Sequence, residues 1–183
     1  MNRENYETVL RRVSDRMMNM KQNGIQEKYP ISLLDMEAWE WPQGVGLYGL
    51  FRYYKTSKDE DILKFLIRWY DDRIAEGLPE HNVNTTAPML TLLCLYEETG
   101  KDGYLKEIKD WARWIMEDGG LIRTGDGLFQ HMITGDPNAD EILIDTLFMT
   151  VLFLAKAGVL LKRQDYIDEA NFQILQHIKY LLN

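Results

Sequence analysis

One carboxylate stands where carboxylates are uncommon. Asp145 lies in Ile142-Leu143-Ile144-Asp145-Thr146-Leu147-Phe148-Met149, a stretch that otherwise reads as the opening of an apolar helix. Burying a charge is costly, so its presence asks for a cause. Two causes fit. A carboxylate at a helix start answers the macrodipole and accepts from free N–H groups. Alternatively, it is a carboxyl group at the mouth of an inner helix, set among aromatic rings so that it gives and takes a proton. Trp39, Trp41 and Tyr48 carry the same double reading, as core rings or as platforms on which a sugar stacks.

Other chemistries fail on spacing. Gly44-Val45-Gly46-Leu47-Tyr48-Gly49 matches a dinucleotide fingerprint, but no strand precedes it and no βαβ unit surrounds it. Its glycines read better as points of close helix approach. Asp136-Pro137-Asn138-Ala139-Asp140 starts like a calcium loop, yet Glu141 stands where glycine is needed and Leu147 where the closing glutamate belongs. His81, His131 and His177 are scattered, with no metal-ligand spacing among them or to Cys94. His177, on the last amphipathic segment, is expected at the surface. No serine or cysteine nucleophile motif is present. Neither a metal nor a cofactor is expected.

These residues must be held by helices, because almost every segment has helical period. Helices are predicted over 3–22, 43–55, 59–76, 86–98, 102–117, 141–161 and 165–182. Those over 86–98 and 141–161 are apolar nearly all round and should be buried. A long loop rich in Gly and Asp, with one candidate short strand pair, spans 118–140. The polar turns Tyr54–Asp59, Glu98–Asp102 and Leu161–Asp165 each join a mostly apolar helix to an amphipathic one. Such repetition describes an array of helical hairpins. Apolar helices would lie inside a ring and amphipathic ones outside, with the long loops on one rim, where a site is built.

The bulk numbers agree with one soluble domain covering 1–183. The chain has 45% hydrophobic and 27% charged residues and a net charge of -8. That charge argues against nucleic-acid or anionic-membrane partners. No apolar run is long enough for a membrane span, and the opening MNRENYETVL lacks the apolar stretch of a signal peptide. With Cys94 as the single cysteine, a reducing cytoplasm is expected. The Asn84-Thr85-Thr86 sequon is set aside for the same reason.

Five segments, in order, resemble the unsaturated rhamnogalacturonyl hydrolases of glycoside hydrolase family 105, related to family 88. They are Asn82–Pro88, Leu95–Gly100, Gly127–His131, Asp145–Met149 and Phe153–Gly158. The similarity runs from about Trp39 to the C-terminus. It implies an all-α fold, an α/α-toroid of helical hairpins, here an incomplete (α/α)6 barrel of about seven helices. It also implies hydration of a C4=C5 double bond in an unsaturated galacturonyl sugar, of the kind released in pectin degradation. One aspartic acid protonates C4 and takes the proton from the water that adds at C5; the motif match puts that role on Asp145. Relatives often supply a second carboxylate near the start of the earlier inner helix, where this chain has Asn82, Asn84 and Thr85. Asn84 and Thr85, with Trp39, Trp41, Tyr48, Gln130 and His131, are the expected sugar contacts, and Arg123 is the rim cation best placed to meet a uronate carboxylate.

Family members are about twice as long, so an arc rather than a closed ring is expected. Its open edges would expose Phe148, Leu152, Phe172 and Leu175. Three reliefs are open: the chain is a piece of a longer polypeptide, two copies pair through those edges as a dimer, or the terminal helices repack. The expectation is a fragment that self-associates and is not an active monomer on its own. Two alternatives remain: a non-catalytic helical-repeat module that binds a partner or second copy on its concave face, and an epimerase-type toroid. The latter would be expected to need a histidine pair on the rim, which this sequence does not show.

Overall fold

The computed structural model describes residues 3–21, 36–117, 120–131 and 140–182. Among these the elements are α1 (Arg3–Met18), α2 (Trp41–Ser57), α3 (Glu60–Glu76), the one-turn α4 (Val83–Thr86), α5 (Met89–Thr99), α6 (Asp102–Met116), α7 (Leu152–Leu161) and α8 (Gln164–Leu181). A π-helical turn, Leu147–Val151, leads into α7. The candidate strand pair is a single antiparallel bridge between Arg123 and Phe129. The calcium-like stretch from Asp136 to Ala139 falls outside the described residues.

Local chemistry sets the boundaries. The Glu40 carboxylate accepts the Trp41 N–H at the start of α2, and Pro42 sits in its first turn. Asp59 caps α3 by accepting from Asp61 N–H. Asn82 and Thr85 form a reciprocal capping box on α4. The three repeated turns end their inner helices in one way, on a left-handed residue: Lys58, Gly100 and Lys162. Each returns its N–H to the carbonyl four residues back, at Tyr54, Tyr96 and Gly158.

The helices pair as the repeat predicts. α2 packs on α3, α5 on α6 and α7 on α8, while α2, α5 and α7 touch in series. α5 is buried continuously from Met89 to Leu95. Trp39, Trp69, Tyr70 and Trp111 pack together under the 36–40 segment, and the Trp39 indole N–H donates to the Thr85 carbonyl at 2.7 Å. The chain is thus an all-helical arc of hairpins with its core between the two layers.

Two expectations need correction. Helical periodicity predicts a helix from 141, but it begins at Leu147. The Glu141 carbonyl accepts the His131 N–H at 2.8 Å across the loop, so it is spent on tertiary pairing instead of a helical turn. His177 is fully buried rather than at the surface. α8 turns Tyr166, Ala170, Gln173 and His177 inward, a stripe at helical spacing. Its more apolar stripe stays outside, with Leu175 65% and Leu182 67% exposed.

The glycines of the 44–49 run split by role. A Cβ on Gly44 would sit 2.6 Å from the Ala87 carbonyl carbon, so only glycine lets α2 reach the α4–α5 junction. A Cβ on Gly46 would meet the Met17 sulfur at 3.1 Å, whereas one on Gly49 meets nothing within 4 Å. Gly44→Ala should therefore destabilise the chain by about 1–3 kcal/mol through overpacking against backbone. Gly49→Ala should stabilise it by roughly 0.5–1 kcal/mol through helix propensity. Urea denaturation of the two variants checks both signs.

Candidate active site at the long-loop rim

The site forms where the 120–131 loop meets the start of the π-helical turn. Asp145 lies in the turn just before that helix, and its side chain is 47% exposed. It is therefore not a buried charge; delaying the helix to Leu147 puts the carboxylate on the surface of the rim. The helix start carries no side-chain cap from Thr146. Among the described residues the Asp145 carboxylate meets His131, whose Nδ1 is 3.5 Å from Oδ1. The same Nδ1 lies 3.1 Å from the hydroxyl of Thr146, which is fully buried.

The loop that carries His131 is fastened to α8 by a buried polar clamp. Gln173 Oε1 accepts the Phe129 N–H at 2.8 Å, and Gln173 Nε2 donates to the Gly127 carbonyl at 2.9 Å and to Glu169 at 2.7 Å. Arg123 completes it, with Nη1 2.6 Å from Glu169 Oε1 and the guanidinium 4.6 Å from the centre of the Phe129 ring. A buried amide with all its groups paired fixes geometry as much as it stabilises. Periodicity alone does not find this clamp, because α8 has a more apolar stripe competing for the interior. What could have pointed to it is that Gln173 and His177 continue the line of Tyr166 and Ala170.

The residues picked out from sequence divide accordingly. Asp145 and His131 come together, whereas Gln130, the residue before His131, is buried with its Oε1 accepting the Asp140 N–H at 3.3 Å. Tyr48 is half-buried and meets Phe148 of the π turn edge to face, 6.0 Å between ring centres. α4, which contains Asn84, packs on the same turn. Trp41 is 43% exposed at the start of α2. Three others serve the scaffold. Trp39 is 7% exposed and stacked on Trp69. The Thr85 hydroxyl accepts the Asn82 N–H and donates to the Glu80 carbonyl. Arg123 has its charge matched by Glu169. Thr146, Gln173 and Glu169 were not singled out from sequence. Among the described residues, no group of three or more His, Cys, Asp or Glu side chains could hold a metal ion, and no helix is long and apolar enough to cross a membrane.

Fold and site together define a helical-hairpin toroid segment with an ionisable carboxylate on its loop rim. Comparison with known proteins gives that class a name. The Glycosyl Hydrolase Family 88 model matches residues 9–183, and the chain belongs to that family. It is 31% identical over 142 residues to the unsaturated rhamnogalacturonyl hydrolase YesR of Bacillus subtilis, covering 76% of this chain and 41% of that protein. Two crystal structures, each described as a possible member of the GH105 family, superpose over 100% of this chain with TM-score 0.91 and 37% identity. They come from Klebsiella pneumoniae and Salmonella enterica, and this chain covers 49% and 50% of them. The chain thus spans about half the length of the relatives it matches.

Burial of His177 beneath the clamp has a consequence for pH. Its Nδ1 sits 2.8 Å from the Gln173 carbonyl, which can only accept, so Nδ1 carries the hydrogen. Its Nε2 is buried with no partner among the described residues. Burial holds the imidazole below its ordinary range, opposed by the bond to Gln173. As pH falls through the unfolded value of about 6.5, the unfolded chain takes a proton that the folded chain resists, so stability falls. Chemical denaturation between pH 8 and 5 should show this decline, at most about 1.4 kcal/mol per pH unit from the one group. His177→Leu should flatten the curve by that amount.

Proposed function

We propose that this chain carries the acid/base group of a hydrolase acting on unsaturated galacturonyl disaccharides derived from rhamnogalacturonan, in pectin degradation. The observation that carries the reading is Asp145: a rim carboxylate beside a buried histidine, at the start of an inner helix of a family 88 chain. The name of the Bacillus relative supports the substrate class. In the proposed reaction Asp145, as the acid, gives its proton to C4 of the C4=C5 bond. Water adds at C5 and its proton goes to the Asp145 carboxylate, which restores the acid. The hemiketal so formed opens and releases the second sugar. One group serves both steps, so the paired carboxylates of ordinary glycosidases are not needed. Trp41 and Tyr48 offer aromatic surface to the sugar, and Asn84 and Gln130 offer hydrogen bonds. A cytoplasmic setting suits the single cysteine, Cys94, which is buried as a free thiol.

We further infer that two copies associate through the outer stripe of α8. Phe172, Leu175 and Ile178 are 36%, 65% and 42% exposed there, and Leu182, just past the helix end, is 67% exposed. Phe172, Leu175 and Ile178 recur at helical spacing on one face, and apolar surface of that kind is uncommon on monomers when it runs together. Pairing across a two-fold axis would bury the same stripe twice.

Both readings have direct tests. Asp145→Asn should fold like the parent, with an unchanged far-ultraviolet spectrum, and should lower turnover by about 10²–10⁴-fold. The assay is loss of ultraviolet absorbance from a lyase-generated unsaturated disaccharide; an Asn variant as fast as the parent removes Asp145 from the chemistry. In light scattering after gel filtration, the parent should elute at about twice 21.6 kDa. Leu175→Glu should shift it to the monomer, and a parent already monomeric rejects the pairing.

A further inference from the structure

Asp145, Thr146 and His131 share one hydrogen-bonding atom. His131 Nδ1 is 3.1 Å from Thr146 Oγ1 and 3.5 Å from Asp145 Oδ1. The three groups differ sharply in exposure: His131 is 8% exposed, Thr146 not at all, and the Asp145 side chain 47%. The imidazole is also held from behind. Its own backbone N–H donates to the Glu141 carbonyl, and Phe129, two residues earlier, is clamped by Gln173. A ring fixed in this way has little freedom to follow a substrate, but it can hold a neighbouring side chain.

We propose that His131 is a positioning residue for Asp145, its Nδ1–H moving between the Thr146 hydroxyl and the Asp145 carboxylate as Asp145 loses and regains its proton. This rests on the reading of Asp145 as the proton donor. An ionised carboxylate only accepts hydrogen bonds, so a ring nitrogen beside it must carry hydrogen to bond it. When Asp145 is the acid, its proton points at C4 of the sugar and Nδ1–H donates to Thr146 Oγ1. Once the proton has gone to C4, the new carboxylate draws the same N–H, and the 3.5 Å gap closes by a small side-chain rotation. Contacts of this kind are often long in the ligand-free state and tighten as charge develops. Water then bonds C5 through its oxygen, its proton returns to Asp145, and Nδ1–H goes back to Thr146. His131 keeps its own hydrogen throughout and neither gives nor receives a proton. The ring thereby holds the carboxylate on the rim while it is charged, where it would otherwise swing into solvent.

The test uses the full 183-residue chain labelled with ¹⁵N-histidine, the three imidazoles being assigned by single His→Gln variants. Near pH 7.5, the ring nitrogen shifts of His131 should report hydrogen on Nδ1. In Asp145→Ala/Thr146→Val, which removes both acceptors, the hydrogen should move to Nε2. Hydrogen on Nε2 in the parent, or on Nδ1 in the double variant, overturns the proposal. The second arm is kinetic, on the unsaturated disaccharide. His131→Gln should lower kcat by about 10²-fold, the scale of a misplaced catalytic group, with KM changed less than about threefold. A raised KM with kcat kept would make His131 a substrate contact and also overturns the proposal. If the parent chain itself turns over no disaccharide, the proposed reaction fails for this chain, and the tautomer measurement alone decides the pairing.

Discussion

The buried faces of the inner helices have no room for unpaired charge, and this constraint arranges the rest of the molecule. α5 is buried without interruption from Met89 to Leu95, and α7 buries Phe153, Leu154, Ala157 and Gly158 against its neighbours. A charged side chain in the α5 span would lose its hydration with nothing to replace it, and Lys156 in α7 keeps its charge by pairing with Glu97 at 2.6 Å. Polar groups near the site are therefore pushed to the places where helices begin. Asp145 sits before the π turn, and Asn82, Asn84 and Thr85 sit at the one-turn helix ahead of α5. The two ends of the arc divide the labour. Short turns that stop on Lys58, Gly100 and Lys162 only reverse the chain. The longer connections carry side chains with chemistry.

Placing a reactive group on a loop exposes it to disorder, and the molecule answers with buried polar bonds rather than with apolar packing. Gln173 uses both ends of its amide on the 127–129 backbone and on Glu169, and Arg123 ties the loop to the same carboxylate. In a buried setting each of these bonds would leave a costly orphan if its partner were removed. The clamp therefore allows few alternative loop positions. His131 inherits that order two residues along and passes it to Asp145. The outer helix α8, which touches no sugar in this scheme, thus decides where the rim carboxylate stands.

Orienting α8 toward the loop leaves its apolar stripe facing away from the core. Phe172 and Leu175 are exposed because Gln173 and His177 are not. The same rotation of one helix produces the buried clamp, the unsatisfied imidazole Nε2 of His177 and the apolar outer surface. Interior order, pH sensitivity and surface stickiness are here three effects of one choice of helix face.

The sequence by itself determined the hairpin array. Its apolar helices, the three matching polar turns and the close-packing role of Gly44 depend on periodicity and on local backbone chemistry, which neighbours in sequence control. It also singled out Asp145 and His131 as members of ordered segments resembling one family. Only the tertiary structure decided how these residues meet. The helical start ahead of α7 moved from 141 to the π turn at Leu147 because the Glu141 carbonyl found the His131 N–H, a partner ten residues away that no helical pattern encodes. The inward face of α8 went to Gln173 and His177 although Phe172, Leu175 and Ile178 are more apolar, because the loop backbone at Gly127 and Phe129 needed hydrogen-bond partners. Trp39, Thr85 and Arg123 found internal partners in Trp69, the Asn82 cap and Glu169. Periodicity ranks helix faces by hydrophobicity, whereas the fold must also satisfy every buried donor and acceptor, and that second requirement is set by residues far apart in the chain.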